Sequence, residues 1–220
     1  MEVATTIMDT LKEFLASYPS KSFDKGETIL LRGDVPDAVH IIESGYVKTY
    51  SIASNGDERM ISVDSKYEDF PTGFALGLVQ KSDYFYEGFT KCTVRMVPRD
   101  EFVKYLDENP KHMRERHASA TTTLLAAMAR INALEQSKAS DKVAHTLLYM
   151  ANQFGVMVRP YSTRMKIAVT QQEIADSLGL TRETTSIELK KLEMLKLITH
   201  SRKSYILYVK RLKKYLEEEE

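Results

Sequence analysis

Residues 170–192, TQQEIADSLGLTRETTSIELKKL, constrain the possible folds more than any other part of the chain. Thr170 followed by Glu173 predicts a capping box at the start of one helix. Gly179 predicts the end of that helix, because glycine adopts the left-handed conformation at little cost. Thr181 then predicts the cap of a second helix. Two short helices joined by a tight turn form a helix-turn-helix.

The second helix of this pair has one face suited to burial and one suited to a partner. The buried face follows the helical repeat at Thr185, Leu189 and Leu192. A recognition helix presents its base-reading side chains on the N-terminal part of the opposite surface. That surface carries Arg182, Glu183, Ser186 and Ile187. A helical hairpin inside some other kind of domain is the alternative.

Two strand-like segments follow, at residues 196–199 and 205–209, with SRKS between them. They predict a β-hairpin with a basic tip, which is the wing of a winged helix. Arg202 and Lys203 at that tip would lie over DNA phosphates. On the two helices, Lys190 would place a positive charge beside the DNA backbone. Gln172, Thr181 and Ser186 would hold DNA phosphates or reach base edges.

The formal net charge of zero conceals two halves of opposite sign. Residues 1–137 hold 16 Lys and Arg against 21 Asp and Glu, a net charge of −5. Residues 138–216 hold 15 against 6, a net charge of +9, and four glutamates at 217–220 form an acidic tail. An acidic front and a basic back predict that only the second half binds an anionic polymer such as DNA.

Cysteine and histidine usage gives no sign of a metal or cofactor. Cys92 is the only cysteine, which excludes an intramolecular disulfide and a four-thiolate site, and we interpret it as a packed thiol. The five histidines show no metal-ligand spacing and are interpreted as surface residues. The N-terminus lacks a signal-peptide pattern and no apolar run reaches the ~20 residues that span a bilayer, so we expect a cytoplasmic protein without membrane contact.

An amphipathic helix at residues 3–18 precedes a region of short strands at 22–99 that glycines interrupt. Asn55-Gly56 joins two alternating runs, which is a strong β-hairpin signal. Many short antiparallel strands predict a β-barrel or jelly-roll-like β-roll over residues 1–110. With the helical remainder, the fold class is α+β.

Residues 111–137 predict one long helix with a sustained heptad seam. The seam consists of Ala120, Leu124, Ala127, Ile131 and Leu134. A second copy of the chain would cover it and make a homodimer, and packing against the chain's own β-domain is the alternative. Residues 137–140 are the predicted hinge, and residues 138–216 the predicted winged-helix domain.

The order β-roll, long dimer helix and winged helix resembles the Crp–Fnr family of bacterial transcription regulators, over nearly the whole chain. The first domain carries the family's IxxGxV pattern as Ile42-Glu43-Ser44-Gly45-Tyr46-Val47, and the recognition helix opens Thr181-Arg182-Glu183-Thr184. The resemblance implies a dimeric regulator on a roughly palindromic DNA site, with Arg182 reading a guanine and Glu183 a cytosine. RNA polymerase is the further partner that it implies.

Two departures from the family pattern limit what the resemblance carries over. Cyclic-nucleotide-binding members have a Gly-Glu and then an Arg-Ser/Thr about ten residues later. Here no Glu follows Gly73 or Gly77, and Ser82-Asp83-Tyr84 stands at the second position. An aspartate repels a phosphate, so we expect no binding of cyclic AMP or cyclic GMP. On the recognition helix, Ile187 stands where the family has an arginine, so the operator should differ at that base.

Aromatic residues near the missing cassette allow two interpretations. Phe74, Tyr84, Phe85 and Tyr86 would suit an apolar effector pocket, but they would equally suit a filled core, which we favour. No nucleophile–base pair, phosphate loop or metal motif predicts an enzyme. The alternative to a transcription regulator is a ligand-binding or protein-interaction module whose winged helix contacts protein, which the +9 charge disfavours.

Overall fold

The computed structural model of the protein describes residues 10–165, 168–201 and 204–219. The chain forms two compact units. The first contains the chain up to Ser51 together with Ile61–Thr123, and the second contains Ile52–Met60 and the chain from Leu124 onward. Within the described residues, no helix is long and apolar enough to cross a membrane.

The first unit begins with helix α1, described over residues 10–16, and continues as antiparallel strands in two four-stranded sheets, although Ile52 and residues 58–60 of these strands belong to the second unit. The sheets have the orders β1-β8-β3-β6 and β2-β7-β4-β5. This arrangement confirms the predicted β-roll. The strands are β1 (Ser20–Phe23), β2 (Thr28–Leu30), β3 (Val39–Ser44), β4 (Val47–Ile52), β5 (Glu58–Asp64), β6 (Asp69–Phe70), β7 (Phe85–Gly88) and β8 (Cys92–Val97).

Alternating side chains of these strands fill the roll. Phe70 stacks on Tyr86 with ring centroids 4.9 Å apart, beside Ile42 and Val94, which are fully buried. Burying an aliphatic side chain of this size contributes about 1.5–3 kcal/mol. Cys92 belongs to the same cluster, and burial raises the pKa of its thiol to about 11. The expected packed thiol is confirmed.

Gly45 makes the turn between β3 and β4 and accepts no side chain. Its φ is 82°, and a Cβ there would lie 2.3 Å from the Lys91 carbonyl oxygen. The hairpin predicted at Asn55-Gly56 is also confirmed, because it joins β4 to β5 and the Ala53 amide donates to the Asp57 carbonyl at 2.9 Å.

Helix α2 (Thr72–Ala75) lies between β6 and β7, and two helices follow the last roll strand: α3 (Arg99–Glu108) and the 26-residue α4 (Pro110–Glu135). At 1.5 Å per residue, α4 is about 39 Å long. Asn109 separates α3 from α4, because the backbone of a residue before proline disfavours helix. The predicted long helix is confirmed. The next helix starts at Ala139, so the helical break covers residues 136–138 rather than 137–140.

The second unit contains the helix-turn-helix and its wing. Its sheet has the order β11-β12-β10-β9, and the hairpin β11–β12 is the predicted wing. The elements are α5 (Ala139–Phe154), β9 (Gly155–Arg159), β10 (Ser162–Met165), α6 (Gln171–Leu178), α7 (Arg182–Met194), β11 (Ile198–Ser201), β12 (Ser204–Tyr208) and α8 (Val209–Glu219).

Two elements of this unit differ from the sequence prediction. Strands β9 and β10 form a hairpin that turns at Tyr161, with φ 62°, and no hairpin was predicted there from the sequence. The run Val156–Val158 has no alternation, because these side chains are all exposed. Helix α8 was not predicted, although Leu212 and Leu216 lie four residues apart and are both buried.

The interpretation of all histidines as surface residues is wrong for two of them. His40 and His112 are 5% and 7% exposed. His40 stacks on Phe70, and the Nδ1 atom of His112 lies 2.5 Å from the Tyr105 hydroxyl. An imidazole ring has enough apolar surface to pack in a core, so sequence spacing alone does not expose it.

Candidate nucleic-acid interface

Helix α6 is fixed at both ends by its own residues. The Thr170 hydroxyl accepts a hydrogen bond from the Glu173 amide at 3.1 Å, and the Glu173 carboxylate accepts one from the Thr170 amide at 2.6 Å. This capping box satisfies donors that every helix start leaves unpaired. Gly179 follows the helix in the left-handed conformation with φ 66°. Both predicted ends of α6 are confirmed.

Helix α7 starts on a similar local cap. The Thr181 hydroxyl accepts a hydrogen bond from the Thr184 amide at 3.1 Å. Thr185, Leu189 and Leu192 are fully buried, which confirms the predicted inner face of the helix. The cap and the buried stripe together fix which side of α7 faces outward.

The predicted base-reading residues lie on that outward side. Arg182 and Glu183 are exposed in the first turn, Ile187 is 54% exposed, and Ser186 is half-buried between them. Lys190 is exposed one turn further along. The structure therefore brings these five side chains to one helical surface, with a cation and an anion at its N-terminal end.

Two other predicted contact residues already bond within the chain. The Thr181 hydroxyl is engaged in the α7 cap and lies 2.9 Å from the Thr184 hydroxyl. Gln172 is exposed on α6, and its side-chain amide donates to Asp176 at 2.7 Å. Arg202 and Lys203, predicted at the wing tip, lie outside the described residues.

Glu188 is a buried carboxylate on α7 that sequence reasoning did not single out. Its side chain accepts a bond from Lys191 at 2.8 Å through one oxygen, while the other oxygen is buried without a hydrogen-bond partner in the described part of the chain. The residue lies three positions after Thr185 and four before Leu192. That spacing places it on the buried face, and its charge alone suggested otherwise.

The first wing strand is attached to the end of α7. The Glu193 carboxylate accepts a hydrogen bond from the His200 amide at 3.3 Å, and the His200 ring stacks on Tyr205 at 5.5 Å. These contacts orient β11 and β12 relative to the recognition helix. Sequence reasoning missed them because they join residues from different elements.

The heptad seam of α4 is uncovered in the single chain. Leu124 is 61% exposed, Ile131 59% and Leu134 37%, and Ala120 and Ala127 are exposed as well. Apolar side chains at this spacing usually find a covering surface. The described residues of this chain do not provide one.

The interior of the roll near β5 is acidic. Asp64 accepts hydrogen bonds from the hydroxyls of Thr49 at 3.1 Å and Ser62 at 3.4 Å. Burial, and then the charge of Glu68, raises the pKa of the Asp64 carboxyl to about 7. Glu68 in turn accepts a bond from Ser119 on α4 at 3.4 Å. Two carboxyl groups, those of Asp64 and Glu68, therefore lie close enough to interact in this part of the roll.

The four aromatic residues of the predicted effector pocket do not gather in one place. Phe74 packs against a core cluster that includes Val39 and Val97. Phe85 stacks on Tyr50 at 5.2 Å, and Tyr86 stacks on Phe70. Burial raises the pKa of the Tyr86 hydroxyl, and Tyr84, which is 39% exposed, lies close enough to Tyr86 to contribute to the raised pKa. Within the described residues, no group of three His, Cys, Asp or Glu could hold a metal ion.

Models of two known domain families match this chain, one in the roll and one in the winged helix. A model of the cyclic nucleotide-binding domain matches residues 20–109, and a model of the Crp-like helix-turn-helix domain matches residues 141–215. The first match covers the roll and the second the winged helix, in the order that the sequence predicted.

Similar whole proteins are transcription regulators. The cAMP-activated global transcriptional regulator CRP of Escherichia coli is 27% identical over 207 residues, 90% of this chain and 94% of that protein. The global nitrogen regulator of Synechococcus elongatus is 26% identical over 185 residues, 83% and 82% of the two chains. A mutant of CooA from Carboxydothermus hydrogenoformans has the same fold, with a TM-score of 0.76 at 19% identity over 93% and 90% of the chains.

Proposed function

Because the chain belongs to the Crp–Fnr family of bacterial transcription regulators, we propose that it is a homodimer that recognises a roughly palindromic DNA operator and is not controlled by cyclic AMP or cyclic GMP. Its site of action is the cytoplasm, where the chromosome lies. RNA polymerase is the partner through which such a regulator would act.

The observation that carries the proposal is the outward face of α7. Its cap and buried stripe present Arg182, Glu183 and Ile187 to solvent on one surface. The surrounding residues 138–216 carry a net charge of +9, which suits a polyanion. An α-helix fits into the major groove, where each base pair displays a distinct pattern of donors and acceptors.

Each of these side chains has a base that suits its chemistry. Arg182 would donate two hydrogen bonds to the O6 and N7 atoms of a guanine, and Glu183 would accept one from the amino group of a cytosine. Ile187 has no polar atoms, so it would contact a thymine methyl group or a sugar. Lys190 would neutralise a phosphate.

The open seam on α4 supports the dimer. A C2 interface is made by the same surface of both copies, and a heptad stripe is self-complementary in that way. Two recognition helices would then read half-sites about 34 Å apart. This geometry is the reason for expecting a palindromic operator.

The acidic interior of the roll supports independence from cyclic nucleotides. Ser82-Asp83-Tyr84 stands where the family has the arginine that pairs with the cyclic phosphate, and the roll also contains the interacting carboxyl groups of Asp64 and Glu68. An anionic phosphate would lose its charge-assisted hydrogen bonds and meet like charges. We expect no heat of binding by calorimetry at millimolar cyclic AMP or cyclic GMP.

Selection of bound sequences from a random DNA pool tests the proposal. We expect a palindromic consensus whose binding weakens steeply with salt. Equal binding of all sequences would contradict sequence recognition. A partner interaction that persists at high salt, with no DNA enriched, would instead favour the protein-interaction module. DNA binding that appears only with added cyclic nucleotide would contradict the proposal that the roll does not respond to cyclic AMP or cyclic GMP.

A further inference from the structure

Arg130 on α4 joins two segments that are distant in sequence. Its guanidinium donates hydrogen bonds to the carbonyl oxygen of Ser177 at 2.7 Å and to the carbonyl oxygen of Met60. Ser177 lies in the last turn of α6, and Met60 lies in β5 just after the Asn55-Gly56 turn. All three residues belong to the second compact unit.

The carbonyl of Ser177 needs a donor from outside the helix. The last four carbonyls of a helix have no intrahelical partner. At this end of α6, the amides of Gly179 and Leu180 both donate to Ala175 rather than to Ser177. A cation at a helix C-terminus also interacts favourably with the helix dipole. Arg130 therefore supplies what the turn itself does not.

The segment around Met60 also reaches the helix-turn-helix at a second point. Arg59 lies against the turn, because a Cβ built on Gly179 would be 3.7 Å from its guanidinium. The Arg59 side chain pairs with Asp57 at 3.4 Å, within the same hairpin. Residues 57–60 thus approach the turn between α6 and α7 beside the bond that Arg130 makes.

The setting favours arginine over lysine. The side chain is half-buried, and burial lowers its pKa although a guanidinium stays charged in proteins. One guanidinium nitrogen, Nη2, makes both hydrogen bonds, and the planar group fixes the directions of its two N–H donors. An ammonium group also has several donors, but it lies on a flexible stem and lacks a fixed planar geometry, so we expect it to hold the two carbonyls less firmly.

We infer that Arg130 is a positioning residue for DNA recognition: it holds the end of α6 against the Met60 segment and so fixes the turn that aims α7. The inference rests on the proposed function for its DNA readout. The outward face of α7 is exposed while this contact is made. The contact therefore leaves that face accessible to an operator.

The test compares Arg130→Gln and Arg130→Lys with the wild-type full-length protein. Base contacts require an accurately placed helix, whereas phosphate attraction tolerates displacement. We expect Arg130→Gln to bind the selected operator at least tenfold more weakly and a scrambled duplex within threefold of wild type. Amide hydrogen exchange at residues 58–61 and 175–181 should become at least tenfold faster. Arg130→Lys should give an operator affinity and exchange rates between those of wild type and Arg130→Gln.

Arg114→Gln is the matched control, because Arg114 is exposed on the same helix and the substitution removes the same charge. It should leave both measurements unchanged. Operator affinity of Arg130→Gln within twofold of wild type, or unchanged exchange in both segments, would overturn the inference. Arg130→Lys provides the same comparison if the glutamine variant does not fold. A wild-type protein that binds no DNA would contradict the proposed function, and the exchange result would still decide the role of Arg130.

Discussion

Helices α7 and α4 both carry an apolar stripe at helical spacing, but only the stripe on α7 is covered by the chain itself. Leu189 and Leu192 are fully buried, whereas Leu124 and Ile131 are 61% and 59% exposed. The repeat of apolar residues therefore reports which side chains share a face and not what covers that face. We attribute the uncovered stripe to a second copy, and the substitutions Leu124→Glu and Leu189→Ala test this difference.

The largest effect is expected from a charge in the open stripe. Leu124→Glu would place an unpaired carboxylate in the interface twice, once from each copy. We expect dimerisation at least 1000-fold weaker, about 4 kcal/mol, with the melting of the single chain nearly unchanged. Sedimentation measures the assembly. Thr122→Glu, on the opposite face of α4, is the control. A wild-type monomer at micromolar concentration would contradict the dimer.

The covered stripe should respond in the opposite way. Leu189→Ala removes a fully buried side chain and leaves a cavity, so we expect the free energy of unfolding to fall by about 3 kcal/mol. Denaturant unfolding of the Leu124→Glu monomer, with and without Leu189→Ala, measures the cost without dissociation. Leu195→Ala is the control, because Leu195 is 55% exposed and should change stability little.

Substitutions on the outward face of α7 should affect neither the stability of the chain nor its assembly. Arg182→Ala should weaken binding to the selected operator by about 1–3 kcal/mol and relax the preference at one base pair of each half-site. Lys190→Ala should weaken binding to all duplexes about equally. It should also reduce the slope of log affinity against log salt concentration by about one per subunit. Titration of matched and mismatched duplexes separates these outcomes. If Arg182→Ala lost the same affinity for matched and mismatched duplexes, the base-reading role of Arg182 would be contradicted.

A buried polar group in the roll gives the smallest effect. The pKa of Asp64 is about 7 in the folded chain against its usual 3.8, so the folded state binds this proton more tightly. The resulting stabilisation is complete below about pH 4 and is lost as the pH rises through 7. Asp64→Asn should therefore stabilise the protein at pH 8 by at least about 1 kcal/mol and leave it unchanged at pH 4.

Asp83→Asn is the control for this pH dependence, because Asp83 is exposed and loses the same charge. Thermal melts of the three proteins at pH 4 and pH 8 provide the comparison. A pH profile of Asp64→Asn that is parallel to that of wild type would show that the Asp64 carboxyl is ionised freely in the fold.

The helix-turn-helix could be predicted in detail because its signals are local. Thr170, Glu173 and Gly179 act within one helix, and Thr181 caps the next through a residue three positions away. Such contacts can be read from spacing alone. The recognition surface follows from them, since the cap and the buried stripe leave only one side of α7 exposed.

The rest of the site depends on contacts that spacing does not encode. Arg130 bonds to residues 47 and 70 positions away, and Thr49 reaches Asp64 across the β4–β5 hairpin. Glu188 differs from these cases, because its spacing placed it on the buried face and its pair with Lys191 is local, but its charge argued against burial. The strand β9 lacks the alternation that would identify it, because its exposed residues include Val156 and Met157.

The single cysteine of the chain makes the protein suited to site-directed labelling. Cys92 is 1% exposed, and a thiol whose pKa is about 11 holds almost no thiolate at pH 7.5, so it should react slowly with maleimides. A cysteine introduced at Lys190 would be modified selectively without first removing the native one. Spin labels at that position would then measure the separation of the two recognition helices directly, with and without operator DNA.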